Sequence, residues 1–294
     1  MERHSTEDAS CGCIREAQSD KGERVEKLLA AVLDAHGGMQ NWARTTRLTA
    51  KMSLGGPFWA ARGWPNVYAN QTVTLDPHRE HITFAPFTAP DRISVLDVDP
   101  ERVTIKSRAG AIADERATPR GSFPTYTDTT PWDAIQVAYF TSAAVWNYLT
   151  APFVFTQPGV IAREIAPWAE NGQTWRRLAV TFPKSNANHN ADQVFYYDDA
   201  FMQRRVDYSP DVTGNPPVAH YTHDYRTFDG FAFPTRRRVL LHDANGTADQ
   251  EFAPITIDVE SVEVRLNAQA DHLLSRSAGT SAPGWSRVDD GGHR

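Results

Sequence analysis

The chain has 294 residues, 40% of them apolar and eight of them tryptophan, enough to build a sizeable core. Its formal net charge of −6 argues against a general nucleic-acid binder, which needs basic excess. The two cysteines, Cys11 and Cys13, supply neither a disulfide framework nor the four ligands of a structural zinc site.

Met1–Ser10 is charged, with no apolar centre, and no apolar run precedes Cys11. That pattern predicts neither a secretory signal nor a lipoprotein anchor, and hence a cytoplasmic protein without stable membrane insertion. Residues 1–21 are polar and aperiodic and are expected to be disordered. Val25, Leu28, Leu29, Val32 and Leu33 then follow helical spacing, and Gly37-Gly38 offers a C-cap. Leu48, Ala50, Met52 and Leu54 alternate with polar neighbours, as in a half-buried strand. Gly55-Gly56-Pro57 breaks it, and Phe58-Trp59 opens an aromatic patch. Further short strands are expected near 67–75, 78–86, 91–98 and 102–107.

The stretch Thr130–Phe155 reads as one long apolar helix, with Thr130 as N-cap, Pro131 at the first position and Asp133 in the first turn. Its apolar residues point nearly all round, so it is expected to be enclosed on more than one side. It is too short and too polar-punctuated to span a bilayer convincingly. Strand patterns resume near 160–166, 173–182, 192–198, 202–208, 217–227, 231–242 and 255–266. From Ala268 onward Ser, Gly and Pro take over, and 268–294 is expected to be a disordered tail. About a dozen short strands with brief turns, and no dividing linker, predict a single antiparallel meander over 22–267.

Turns suggest registers for 202–241. Pairing Tyr208 with Ala219 sets Val206 against Tyr221 and Arg204 against His223. A three-residue Phe228-Asp229-Gly230 loop sets Tyr225 by Phe233, His223 by Thr235 and Tyr221 by Arg237. The predicted inward wall is therefore aromatic, with Arg204, His223, Thr235 and Arg237 as a polar island.

Leu33–Gly38, Ala85–Arg92, Thr130–Asp133, Tyr148–Phe153 and Phe233–Arg238 together resemble an uncharacterised bacterial family within the lipoprotein-carrier (LolA/LolB-like) superfamily. The resemblance runs from about Val25 to Asn267. It implies a mainly β fold with helices (α+β): an incomplete antiparallel barrel, helices over its concave side and an apolar cavity between.

Several constellations point elsewhere and are set aside. His220 and His223, like His78 and His81, lie three apart on strands and so face opposite sides, which excludes chelation of one metal ion by either pair. No nucleophile elbow, phosphate-cradling loop or dinucleotide fingerprint occurs, so no cofactor is expected. The expected function is binding of a hydrophobic small molecule or acyl chain between sheet and central helix. Trp59, Tyr139, Phe140, Trp146, Tyr221, Tyr225, Phe233 and Arg237 are the expected ligand wall. The alternative is a cofactor-free cyclase, isomerase or lyase in the same cavity. His223 would be its acid/base, and Arg204 would keep that ring neutral and hold an oxyanion.

Overall fold

The structure is a computed structural model that describes residues 27–267; the expected tails, with Cys11 and Cys13, lie outside the described residues. Alternating burial builds one antiparallel sheet from two meanders. The first comprises β1 (Thr45–Gly55), β2 (Gln71–Asp76), β3 (His81–Ala85), β4 (Arg92–Val98), β5 (Glu101–Ser107) and β6 (Ile112–Ala117). The second comprises β7 (Ile161–Glu170), β8 (Gln173–Thr181), β9 (Asp192–Tyr197), β10 (Gln203–Tyr208), β11 (Val218–Phe228), β12 (Phe231–Leu241) and β13 (Ile255–Leu266). β1 pairs with β13, so the two meanders join at the middle of the sheet and leave β6 and β7 as its edges. The sheet is open, because those edges do not pair with each other. β6 carries no apolar alternation to announce it, since as an edge strand it is almost wholly exposed.

Among the described residues four α-helices accompany the sheet: α1 (27–35), α2 (Met39–Trp42), α3 (Pro57–Ala61) and α4 (Ala134–Thr150). α1 buries Leu28, Val32 and Leu33 and ends where the Gly38 N–H donates to the Leu33 carbonyl at 2.9 Å. α4 links the two edges and touches both meanders. The Trp146 indole N–H donates to the Asp76 carbonyl at 2.8 Å, and Tyr148 packs edge-on against His220 of β11 at 4.7 Å. Fifteen of its seventeen residues are buried, as an apolar stripe on every side requires. The helix starts later than its composition suggests. Asp133, not Thr130, is the N-cap. Its carboxylate accepts the Gln136 backbone N–H, and the Gln136 side chain accepts the Asp133 N–H, both at 2.9 Å. Thr130 instead closes the preceding turn by accepting the Thr127 N–H at 2.9 Å.

Both expected hairpin registers are shifted by one residue. Tyr208 pairs with Val218 and Arg205 with Tyr221, while His223 pairs with Arg236 and Tyr225 with Pro234. The β11–β12 loop is the two-residue Asp229-Gly230 turn, both residues at positive φ, which closes Phe228 directly on Phe231. The faces exchange accordingly. Tyr221 joins Trp175, Tyr196, Ala219 and Leu240 in a second cluster, on the side of the sheet away from the main core. There the fully buried Arg205 pairs with Glu170 and Asp207 at 2.9 and 2.5 Å. Asp224, at φ 55°, then breaks the alternation, so that His223 stays with Tyr221 while Tyr225 returns to the inner side against His36.

Candidate functional site

Gly56 begins the site. Its φ of 100° and the approach of the Pro254 carbonyl, 2.3 Å from where a Cβ would stand, leave room for glycine alone. With Pro57 at its first position, α3 is thereby pinned to the 254 turn through the Phe58 N–H, 3.1 Å from the Pro254 carbonyl. α3 presents Phe58, Trp59 and, one residue past its end, Arg62. Facing it, α4 presents Phe140, Thr141, Ala144, Val145 and Tyr148, which share one helical stripe. The sheet supplies Leu54, Val218, Val239, Ile255 and Ile257 as the floor. Between them lies a cavity of about 440 Å³, closed further by Pro210, Thr213 and Pro216 on one side and Phe252 and Pro254 on another.

The cavity wall is mostly carbon, with a small polar corner. The Tyr148 and Tyr208 hydroxyls hydrogen-bond at 2.9 Å, and the Tyr208 hydroxyl lies 3.5 Å from His220 Nδ1. The His189 ring stacks on Tyr208 at 5.3 Å and sits 4.3 Å from Phe140. Burial, seconded by Arg120, drives His189 down to about 3, and burial, seconded by Arg237, drives His220 well below its ordinary value. Burial pushes Tyr148 up to about 12 and Tyr208 well above the usual phenol range. At neutral pH this corner is polar and uncharged. It can accept or donate single hydrogen bonds but offers no charged acid or base.

Of the expected wall, Trp59 and Phe140 line the cavity. Tyr139 turns to the opposite side, where its hydroxyl donates to Glu101 at 2.9 Å. Trp146 and Phe233 are core, and Tyr225 is tied by its hydroxyl to the Gln203 carbonyl at 3.0 Å. Tyr221 faces away, for the reason of register given above. Arg237 lies behind the wall, donating to the Tyr148 carbonyl at 3.0 Å with its guanidinium over the Tyr148 ring. The expected island of Arg204, His223, Thr235 and Arg237 is not assembled. Arg204 pairs with Asp198 at 2.8 Å, His223 stacks on Tyr221, and Thr235 donates to the Asp224 carbonyl. Acid/base work by His223 with Arg204 therefore has no place in this cavity. Tyr148, Tyr208, His189 and Arg62 were not singled out by spacing. His189 sits in the polar loop between β8 and β9, which has no periodicity to reveal a buried side chain. Among the described residues, no group of three metal-ligating side chains converges, and no helix is long and apolar enough to cross a membrane.

No protein-family model matches the chain, and no curated protein sequence matches it. Solved structures with a similar outline include a domain named for outer membrane lipoprotein sorting from Vibrio parahaemolyticus. The match is at 9% identity, covers 86% of this chain and 99% of that one, and has a TM-score of 0.48. A LolA superfamily protein from Nitrosomonas europaea matches at 8% identity over 84% and 96% of the two chains, with a TM-score of 0.40. A DUF1329 family protein from Desulfovibrio piger matches at 9% identity over 86% and 98%, with a TM-score of 0.39. These are likenesses of fold.

Proposed function

We propose that the protein binds a hydrophobic small molecule or acyl chain in the cavity between α3, α4 and the sheet. The observation that carries this reading is the half-open, carbon-lined cleft of about 440 Å³, within the size range of small-molecule sites. A cleft of that size is far larger than the packing gaps of a core, and a carbon-lined wall that offers water few partners favours an apolar guest. The neutral corner of Tyr148, Tyr208 and His189 supports recognition of one polar group without a charge penalty.

Filling the space tests the reading. Ala144 faces the cavity from the middle of α4, so Ala144→Phe is expected to leave the fold stable and to weaken a neutral fluorescent apolar probe such as N-phenyl-1-naphthylamine about ten-fold or more. Mass spectrometry of organic extracts from purified wild type is expected to show a bound amphipath that the variant lacks. A folded variant that binds the probe as tightly as wild type would overturn the assignment of the cavity.

A further inference from the structure

Arg62 is the one charged side chain with its burial completed at the cavity wall: it is 1% exposed and lines the space directly. Its guanidinium is placed by packing, with Cζ 5.4 Å from the Phe58 ring, 5.0 Å from Tyr126 and 5.5 Å from Trp132. Its protein hydrogen bonds go only to backbone carbonyls: Nη1 donates to Thr127 at 3.0 Å, and Nη2 donates to Asp128. Nε is buried and has no partner. Of the five N–H donors of a guanidinium, those two bonds leave three unused. No carboxylate stands within ion-pair distance among the described residues; Asp128 is exposed, accepts the Arg62 bond through its backbone carbonyl, and its charge acts on Arg62 from beyond that distance.

Arg237 repeats the pattern behind the same wall. It is 5% exposed, has one hydrogen bond, to the Tyr148 carbonyl, and has no carboxylate within ion-pair distance among the described residues. A buried charge is ordinarily paired, because an unpaired one carries a desolvation penalty that nothing repays. Among the described residues neither cation beside the cavity has a carboxylate in ion-pair contact, although the charge of Asp128 acts on Arg62 from farther off.

We infer that the guest is an amphipath with a carboxylate headgroup, and that Arg62 holds that carboxylate while the chain lies along α4. This rests on the cavity reading above and narrows it to a class of ligand. A carboxylate is a planar monoanion that can take two parallel N–H···O bonds from a guanidinium with unused donors. A phosphate monoester brings up to two negative charges and more acceptor oxygens than Arg62 alone can satisfy in an otherwise apolar wall.

Displacement of N-phenyl-1-naphthylamine from the wild-type protein tests this without relying on any variant, using dodecanoate, methyl dodecanoate and dodecyl phosphate. Dodecanoate is expected to displace the probe at concentrations about ten-fold lower than the ester or the phosphate. In Arg62→Gln the acid and ester are expected to become equal within about two-fold, while Arg62→Lys keeps part of the preference. Equal displacement by acid and ester in wild type overturns the carboxylate inference and leaves the cavity reading standing. Tighter binding of the phosphate overturns the choice of headgroup, and an undiminished preference in folded Arg62→Gln overturns the role of Arg62. Failure of the probe itself to bind wild type removes the cavity reading beneath them all.

Discussion

Glu80 is 8% exposed, and one of its oxygens accepts the Ala187 N–H at 2.9 Å while the other has no partner. Burial pushes its pKa up to about 8, so the folded protein holds a proton there that the unfolded chain releases near 4.5. The stabilisation is full below about 4.5 and is lost as pH rises through about 8. His189 has the opposite sign. Held at about 3 against an ordinary 6.5, it stabilises above 6.5 and costs stability as pH falls. Between about 4.5 and 6.5 Glu80 is opposed by His189 and by the likewise lowered His220, His36 and His223, so stability is expected to rise with pH up to about 6.5 and to fall above it. Glu80→Gln keeps an acceptor for Ala187 without a titrating group. Urea midpoints at several pH values are expected to show wild type losing stability from pH 6.5 to 8 at up to about 1.4 kcal/mol per pH unit, with the variant nearly flat. A wild-type curve that is flat over that window would mean that Glu80 ionises freely. At this scale little of the site was legible in advance. One left-handed residue, Asp224, breaks the in–out alternation on which any reading of His223 and Tyr225 depends, and a two-residue turn in place of three moves every pair in the hairpin.

At the scale of elements, α4 was legible because an apolar run of its length has few other ways to be buried. Its start was misread because Thr130-Pro131 carries the usual signals, whereas the reciprocal pair Asp133–Gln136 satisfies two otherwise orphaned donors and prevails. Asp133 also receives Arg116 at 2.8 Å, which ties the helix start to β6. Asp133→Ala is expected to lower stability by about 1 kcal/mol, read as a drop in the urea midpoint with unchanged slope. Thr130→Ala is expected to cost less, and the reverse order would restore Thr130 as the cap. α3 was legible only as an aromatic patch after a glycine break, since no local signal says that five residues will turn helical against Pro254.

At the scale of the whole molecule, alternation and turn residues foretell an antiparallel meander, and the thirteen-stranded sheet is one. They do not foretell its order, because the pairing of β1 with β13 joins segments with no local relation. Among the described residues that seam is the only ladder between the two meanders, and Ala50 and Val262, paired across it, are both buried. Its amides are expected to exchange with solvent only through global unfolding. The amides of the exposed edge β6 are expected to exchange orders of magnitude faster, as native-state hydrogen exchange would measure. Equal protection at seam and edge would mean that the sheet opens as a single unit.

The seam also bears on how the protein is made. Thr46 donates to the Arg265 carbonyl across 219 positions of sequence, while the other ladders join strands that follow one another along the chain. Contacts between distant segments are slow to form, because a long loop must close before they are rewarded. On a ribosome adding about 5–20 residues per second, β1 leaves the tunnel early and waits some tens of seconds for its second partner. Through that interval one side of a strand destined for the centre of the sheet is an open edge, and synthesis is the period when the chain is most exposed to pairing with a neighbour.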